Sequence, residues 1–405
     1  MSHRVLGRRV LGAAVVLIIA GASYAAGRAT ASRGASGPVQ AAFAARSYSA
    51  GSRAVLDLSR RATDLRVQFY RAGGSRSGVF EGRPVSDAVT VVQPGSTLRL
   101  TIGNWPSGLY YAKVATPKKG FWYAPFVLRP RRLGASDVLV VLPTNTWQAY
   151  NFEGGDSWYE NSDVHRIDLG RPFIDGGVPP HYHNYDRGFI RWLALHHYEP
   201  DYVSDDDMDR LASATTLARD YRLIVFSGHE EYTTQHEYDL LTGYRDLGGH
   251  LAFLSANDFF YKVTKQGNTM TGRWRWRDLG RPEAALVGAQ YVGWNEDRYP
   301  NRPFRIVGAH KAPWLFAGTG LHNGSRYGTY GIEVDSRTPA SPPGTVVLAN
   351  IPDIFGPGKT AEMTYYTTGR GAEVFSAGVM NFGGSALWPT VNTMLENLWV
   401  KLTAS

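Results

Sequence analysis

Hydrophobic and polar positions change their rhythm partway along this chain. From about Leu56 to Val127 the apolar residues come in short alternating runs, LRVQFYRAG, DAVTVVQPG, STLRLTIGNWPSG, LYYAKVATP and FWYAPFVLRP, each broken by Gly, Pro, Asp or Ser. Alternation with period two between turn residues predicts half-buried strands, here a small β-sandwich. After Ser136 the strands become continuous apolar runs, DVLVVLP, YRLIVFSG, HLAFLSAND and AEVFSAG, interleaved with helical stretches such as FIRWLALHHY, EYDLLTGYRDLGG and WPTVNTMLENLWVKL. Such strand-helix alternation predicts an α/β domain with a doubly wound, mostly parallel sheet. The Trp-, Arg-, Gly- and Pro-rich stretch from about Gly267 to Pro343 reads as strands and loops elaborating it, and no internal repeat stands out.

The amino terminus has a different pattern. Arg4, Arg8 and Arg9 precede an uncharged run from Val10 to Gly27, with small residues at its end. That is the layout of an export signal, and also of an uncleaved anchor, since the run is of membrane-spanning length. Arg8-Arg9-Val-Leu faintly resembles a twin-arginine signal. The expected organisation is a signal or anchor over 1–31, a flexible linker over 32–54, a β-sandwich over 55–132 and the α/β domain over 133–405. The protein is expected outside the cytoplasm, secreted or attached to the membrane's outer face only through its N-terminal segment.

Composition narrows the chemistry. The 405 residues contain no cysteine. Disulfides, thiolate metal sites and cysteine nucleophiles are therefore excluded. The formal charge is +8, but residues 1–61 hold nine arginines, no lysine and one acid, Asp57, and account for the whole excess. A balanced folded body gives no electrostatic footprint for nucleic acid, so no such partner is expected.

In open parallel sheets, ligands bind where loops leave the carboxyl ends of strands. Two such places are dense in polar and aromatic groups. Thr144-Asn145-Thr146-Trp147-Gln148-Ala149-Tyr150-Asn151 follows the first buried strand, and His229-Glu230-Glu231-Tyr232 follows the second. They are expected to be neighbours. Asn145, Gln148 and, at the end of the third buried strand, Asn257 are candidate substrate-orienting residues, and His229 a candidate proton shuttle because an unperturbed imidazole titrates near neutrality.

LPTNTWQAYNFEGG, GHEEYT, GGHLAFLSAND, YGIEVDS, EVFSAG and the earlier WPSGLYYAKV together resemble the large-subunit family of N,N-dimethylformamidase, from about Leu56 to Trp399. The resemblance implies a class I glutamine amidotransferase-like domain lacking the thiol. It also implies hydrolysis of non-peptide C–N bonds in small amides at a mononuclear iron held by two tyrosines and one glutamate. Carried over by motif, these are Tyr150, Glu231 and Tyr110, with Tyr111 an alternative because neighbours on a strand face opposite ways. Glu231 and His229 are then the expected catalytic residues. The chain departs from the family in having Thr233 where an aromatic residue commonly stands, and no downstream basic partner is placed, Lys262, Arg275 and Arg277 being candidates. A homo-oligomer or a small accessory subunit is consistent with the resemblance.

The chemistry stands on its own terms. A phenol ionises near pH 10, so it ligates at neutral pH only when a strongly charged hard cation such as Fe(III) replaces its proton. Three protein ligands leave positions open for water and a substrate carbonyl oxygen.

Other clusters have plainer readings. His181 and His183 lie in a Pro-rich stretch that reads as a surface loop. His196 and His197 end a helical stretch, Asp205-Asp206-Asp207 reads as an exposed helix start, and Trp274 to Arg277 alternates as a two-faced strand would. The rival functional class is a non-catalytic exported or cell-surface binding protein, holding a carbohydrate or other ligand on the same fold.

Overall fold

The computed structural model describes residues 37–404 apart from 62–63, 75–77, 93–94, 118–119 and 160–162. The expected signal or anchor over 1–31 and the start of the linker lie outside the described residues. Among the described residues, no helix is long and apolar enough to cross a membrane.

Two sheets enclose the first apolar core. One has three strands, Ala41–Phe43, Arg53–Leu58 and Thr97–Thr101. The other runs Ser47–Ser49, Gly120–Arg129, Gly108–Thr116, Leu65–Arg71 and Arg83–Pro84, with Val89–Val91 also on Leu65–Arg71. The period-two reading holds here: Leu65, Val67 and Phe69 are buried while their neighbours Arg66 and Gln68 are not. The stretch expected to be a linker up to residue 54 is corrected from Ala41 onward. Ala41, Phe43, Tyr48 and Ala54 are buried in this core, and their small and polar neighbours hid the strands.

The larger sheet has nine strands in the order Asp201–Ser204, Val138–Leu142, Leu223–Phe226, His250–Phe253, Glu373–Ser376, Ala361–Thr367, Val346–Ile351, Arg302–Ile306 and Arg326–Tyr330. The first five pair in parallel. The last four add antiparallel. With an antiparallel three-stranded sheet, a mixed four-stranded sheet and an antiparallel pair beside it, the chain is β-rich and its sheets are mixed. The expectation of a doubly wound, mostly parallel, amidotransferase-like fold is therefore corrected. A continuous apolar run such as VLVVL shows that a strand is buried on both faces, but not which way its neighbour runs. The residues between His250–Phe253 and Glu373–Ser376 supply further strands where a doubly wound fold would place one crossover helix.

Helices begin where their caps dictate. Thr234 accepts from the Glu237 amide while Glu237 bonds back to the Thr234 amide, a capping box that starts Gln235–Asp246. Ser204 and Asp207 do the same for Asp205–Met208. Asp205, Asp206 and Asp207 do start a helix, but they are buried rather than exposed.

Those acids join the sandwich to the larger body. Ser47 and Arg129 donate to Asp207 at 2.7 and 3.0 Å, and Arg46 pairs with Asp206. Lys265, 8% exposed, reaches Asp206 at 3.1 Å and Asp209 at 2.7 Å. Apolar packing continues across the junction, where Phe80 and Tyr111 meet Tyr182 and Ile190 in the main core.

Candidate functional site

The site forms where three chain segments leave the parallel half of the large sheet. Val138–Leu142 runs into the short helix Thr144–Tyr150, which carries Tyr150 at its end. Leu223–Phe226 is followed by Ser227, Gly228, His229, Glu230 and Glu231, before the strand Tyr232–Thr234. His250–Phe253 leads to Asn257, held in the left-handed region at φ 57°, a conformation asparagine tolerates. Gly228 is required by close approach, because a Cβ there would collide with the buried Asp186 carboxyl.

Glu231 is the hub. It is 2% exposed, and two phenols donate to its carboxyl: Tyr150 to Oε2 at 2.8 Å, and Tyr159 to Oε1 at 3.0 Å and Oε2 at 2.8 Å. The two rings stack with centroids 3.9 Å apart. A third phenol, Tyr232, meets the Tyr159 hydroxyl at 2.6 Å. The Glu231 backbone is fixed from behind, since its N–H and that of Tyr232 both donate to the Thr146 hydroxyl, at 3.1 and 3.4 Å.

A second carboxyl faces the first. Glu333 begins the strand Glu333–Ser336, and its Oε2 lies 3.9 Å from His229 Nε2, which is itself 3.5 Å from Glu231 Oε2. The Asn257 side chain lies near both carboxyls and acts to lower each. His229 Nε2, Glu333 Oε2 and Asn257 Oδ1 are buried without a hydrogen-bond partner. Three orphaned polar atoms around one carboxylate mark a place built for something polar to enter.

The electrostatics follow from burial. Desolvation raises Glu231 to about 7, against hydrogen bonds from Tyr150 and Tyr159 that pull it down. Burial, then the charges of Glu231 and Glu333, push Tyr150 well above its usual range, and burial likewise raises Tyr159, Tyr232 and Glu333. Burial, then His181, lowers His229 to about 3. Its imidazole is therefore neutral near pH 7, which corrects the expectation of an unperturbed shuttle.

The structure gathers Tyr150, Glu231, His229 and Asn257 and disperses the other expected residues. Tyr110 is not at the site. It faces the sandwich core, stacked on Trp105 and Phe126, and donates to the Pro106 carbonyl at 2.8 Å. Tyr111 points the other way, against Tyr70 and Phe80. Asn145 is a frame residue rather than a substrate ligand: its Nδ2 donates to the Tyr232 carbonyl at 3.0 Å and its Oδ1 accepts from Lys265 at 3.4 Å. Gln148 is spent likewise, on the Arg171 carbonyl at 3.1 Å and the Asn151 amide at 2.9 Å.

Of the basic candidates, Lys262 bonds Gln235 at 3.1 Å and Arg277 is held by Glu283 at 2.6 Å. The guanidinium that acts electrostatically on Glu231 is that of Arg273. His181 is no plain surface residue, since its ring meets Tyr150 edge-on at 5.2 Å, whereas exposed His183 bonds Arg187. Thr146, Trp147, Tyr150, His181, Tyr185 and His229 border a narrow cavity with room for about one water molecule. A wider groove of about 600 Å³ at Asp156, Asp163, Asp168 and Asn268 includes neither Tyr150 nor Glu231.

Tyr159, Tyr232, Glu333 and Arg273 were not singled out from sequence. Tyr232 is adjacent to Glu231, and YGIEVDS contains Glu333, so both had a local signal. Tyr159 sits in an irregular loop and had none.

Fold and site define a β-rich protein of mixed sheets with a buried Tyr-Tyr-Glu oxygen cluster at the ends of parallel strands. The chain belongs to the N,N-dimethylformamidase beta subunit-like, C-terminal family, whose model matches residues 86–268 and 263–392. No curated protein matches it significantly in sequence. Among solved structures it is similar to the mmIFT52 N-terminal domain at 9% identity, covering 66% of this chain and 98% of that one with a TM-score of 0.36. It is similar also to a superoxide reductase (neelaredoxin) from Ignicoccus hospitalis, at 14% identity over 23% and 78% of the two chains with a TM-score of 0.17. A cycloisomaltooligosaccharide glucanotransferase from Paenibacillus sp. matches at 8% identity over 54% and 45%, with a TM-score of 0.18. Scores this low carry no argument about fold or function.

Proposed function

We propose that this protein hydrolyses the C–N bond of small amides at a metal ion, iron as Fe(III), held by Tyr150, Tyr159 and Glu231, with Tyr159 in the place expected of Tyr110. Family membership supports amide hydrolysis at the coarse level. The observation that carries the metal is the convergence of two phenols on one buried carboxyl beside three orphaned polar atoms. Among the described residues, no three His, Asp or Glu side chains form a metal site. A cation here therefore depends on phenol oxygens, and phenols raised so far by burial give up their protons only to a highly charged one.

When bound, the metal supplies a Lewis acid that polarises the amide carbonyl and acidifies water. The chain's own groups do the rest. Glu333, in the ionised form that a neighbouring cation would favour, takes a proton from the attacking water as its oxygen bonds to the carbonyl carbon, and returns that proton to the nitrogen as the C–N bond breaks. The second proton of the water stays with the carboxylic acid product. Neutral His229 stands between the two carboxyls with its Nε2 free to meet the substrate or water, and Asn257 orients the substrate. The protein is further proposed to act outside the cytoplasm, in keeping with its N-terminal pattern, and as a homo-oligomer or with an accessory subunit.

The test is release of methylamine from N-methylformamide by the purified protein and by Glu333→Gln. The wild type is expected to turn over and the variant to lose about 10²-fold or more in kcat, the scale of a general acid–base group. No turnover by wild type loaded with iron, or full turnover by the variant, would contradict the reading; the former would favour the ligand-binding alternative.

A further inference from the structure

The rim of the site carries charge that the hydrolysis above leaves unused. On the strand Thr269–Arg275, residues 273 and 275 share one face because side chains alternate. The Arg273 guanidinium lies over two rings, 5.6 Å from Trp158 and 5.5 Å from Tyr261, and donates to the Trp158 carbonyl at 3.3 Å. Arg275 lies 5.6 Å over Phe260, and its charge acts on Tyr261. Both rings beneath Arg273 also pack on Tyr232, Trp158 at 4.9 Å and Tyr261 at 5.4 Å. Tyr232 touches the Tyr159 hydroxyl, which binds Glu231. The guanidinium and the site are thus joined by packed aromatic rings, Trp158 and Tyr261 first, then Tyr232 and Tyr159.

Both arginines are exposed, and among the described residues neither meets a carboxylate. Their neighbours on the chain differ: Arg277 is held by Glu283 and Arg281 by Asp239, each at 2.6 Å. The rings and the Trp158 carbonyl hold the Arg273 guanidinium while leaving it further donors, so little order is lost when an anion docks. A planar guanidinium matches a carboxylate edge-on through two parallel hydrogen bonds.

We propose that Arg273 and Arg275 form a carboxylate-binding rim, and that the site takes small amides bearing a carboxylate, of which an N-acyl amino acid is the simplest. The reacting bond rests on the amide-hydrolase reading above; the carboxylate rests on the rim alone. Arg273 is the principal contact because both rings beneath it pack on Tyr232, beside the Glu231 cluster. Arg275 extends the positive edge outward.

N-formylglycine and N-methylformamide differ by a carboxylate on the same amide and make a matched pair. Two ratios between them are measured, of kcat/KM and, by ligand-observed NMR titration, of Kd, for wild type, Arg273→Gln and Arg273→Lys. Wild type is expected to favour N-formylglycine by about tenfold or more, as a charge-assisted bidentate contact allows. In Arg273→Gln the preference falls to near unity, and Arg273→Lys retains part of it through its point charge. Because each ratio compares two ligands on one protein preparation, partial misfolding cancels. A wild-type ratio near one, or an equal loss for both ligands in Arg273→Gln, overturns the rim and makes Arg273 only an electrostatic neighbour of Glu231. A carboxylate preference in binding without hydrolysis sustains the rim while the amide-hydrolase reading falls. Hydrolysis without preference does the reverse.

Discussion

Replacing Tyr159 by Phe removes one oxygen and keeps the ring. In the structure that oxygen donates to Glu231 at 2.8–3.0 Å and meets the Tyr232 hydroxyl at 2.6 Å, while the ring stacks on Tyr150 at 3.9 Å. The stacking survives the change, but Glu231 loses one of its two phenol donors and Tyr232 its partner. One part-buried hydrogen bond to a carboxyl lost, with the Tyr232 hydroxyl orphaned, costs about 1.5–3 kcal/mol. The control is Tyr110→Phe, which loses a single bond to the Pro106 carbonyl and costs about 1 kcal/mol. Stability alone separates them poorly, so the assay adds iron content and the visible tyrosinate-to-iron absorption. Tyr159→Phe is expected to weaken or shift that band and to lower iron retention during dialysis. Tyr110→Phe is expected to leave both as in wild type. If Tyr110→Phe changes the band and Tyr159→Phe does not, the assignment of the third oxygen is wrong and the position implied by the family resemblance is right.

Two further outcomes follow from buried charge. Lys265→Met leaves Asp206 and Asp209 facing each other without their ammonium and frees Asn145, so it should lower stability by about 3–5 kcal/mol in urea titration, whereas exposed Arg219→Met should fall within about 0.5 kcal/mol of wild type. Burial raises Asp186, Asp335 and Glu231 to about 7 each, above their unfolded values. Their contribution to stability is therefore complete below the unfolded carboxylate range and is lost as pH rises through about 7. Metal-free protein should show this fall in its urea midpoint between about pH 4 and 8, and Asp186→Asn should make it shallower; an unchanged slope in Asp186→Asn would refute the assignment.

Much of the architecture was legible where one physical cause dominates. Val138–Leu142 and Leu223–Phe226 are buried on both faces, so nothing but apolar residues fits, and the runs announce themselves. The segments that hold Tyr150, His229, Glu231 and Asn257 were legible because each follows such a strand and adjacent parallel strands bring their trailing loops together, while the ligand roles of Tyr150 and Glu231 came from the family resemblance. Direction of pairing left no mark. The apolar content of Val346–Ile351 suits a parallel or an antiparallel neighbour equally, and the antiparallel half of the large sheet went unread. Tyr110 and Tyr111 show the same blindness at one position: alternation says that they diverge, but only packing decides that Tyr110 enters the sandwich core. Asn145 and Gln148 carry the residue types of a binding site, yet their amides are consumed in holding backbone carbonyls. Tyr159 reaches Glu231 from an irregular loop whose course no periodicity records, so its role emerges only from the fold. The strands at Ala41–Phe43 and Ser47–Ser49 are too short, and too rich in Ala and Ser, to stand out from a linker.

The central claim is that two phenols and the Glu231 carboxyl hold a metal ion. It is tested most directly by metal content together with the visible spectrum of the purified protein, beside Tyr150→Phe and Glu231→Ala. The account expects about one iron per chain and a tyrosinate-to-iron band, with both lost in Glu231→Ala and the band diminished in Tyr150→Phe. A colourless protein that stays metal-free after incubation with ferric or ferrous iron, folded and unaltered by either substitution, would contradict it.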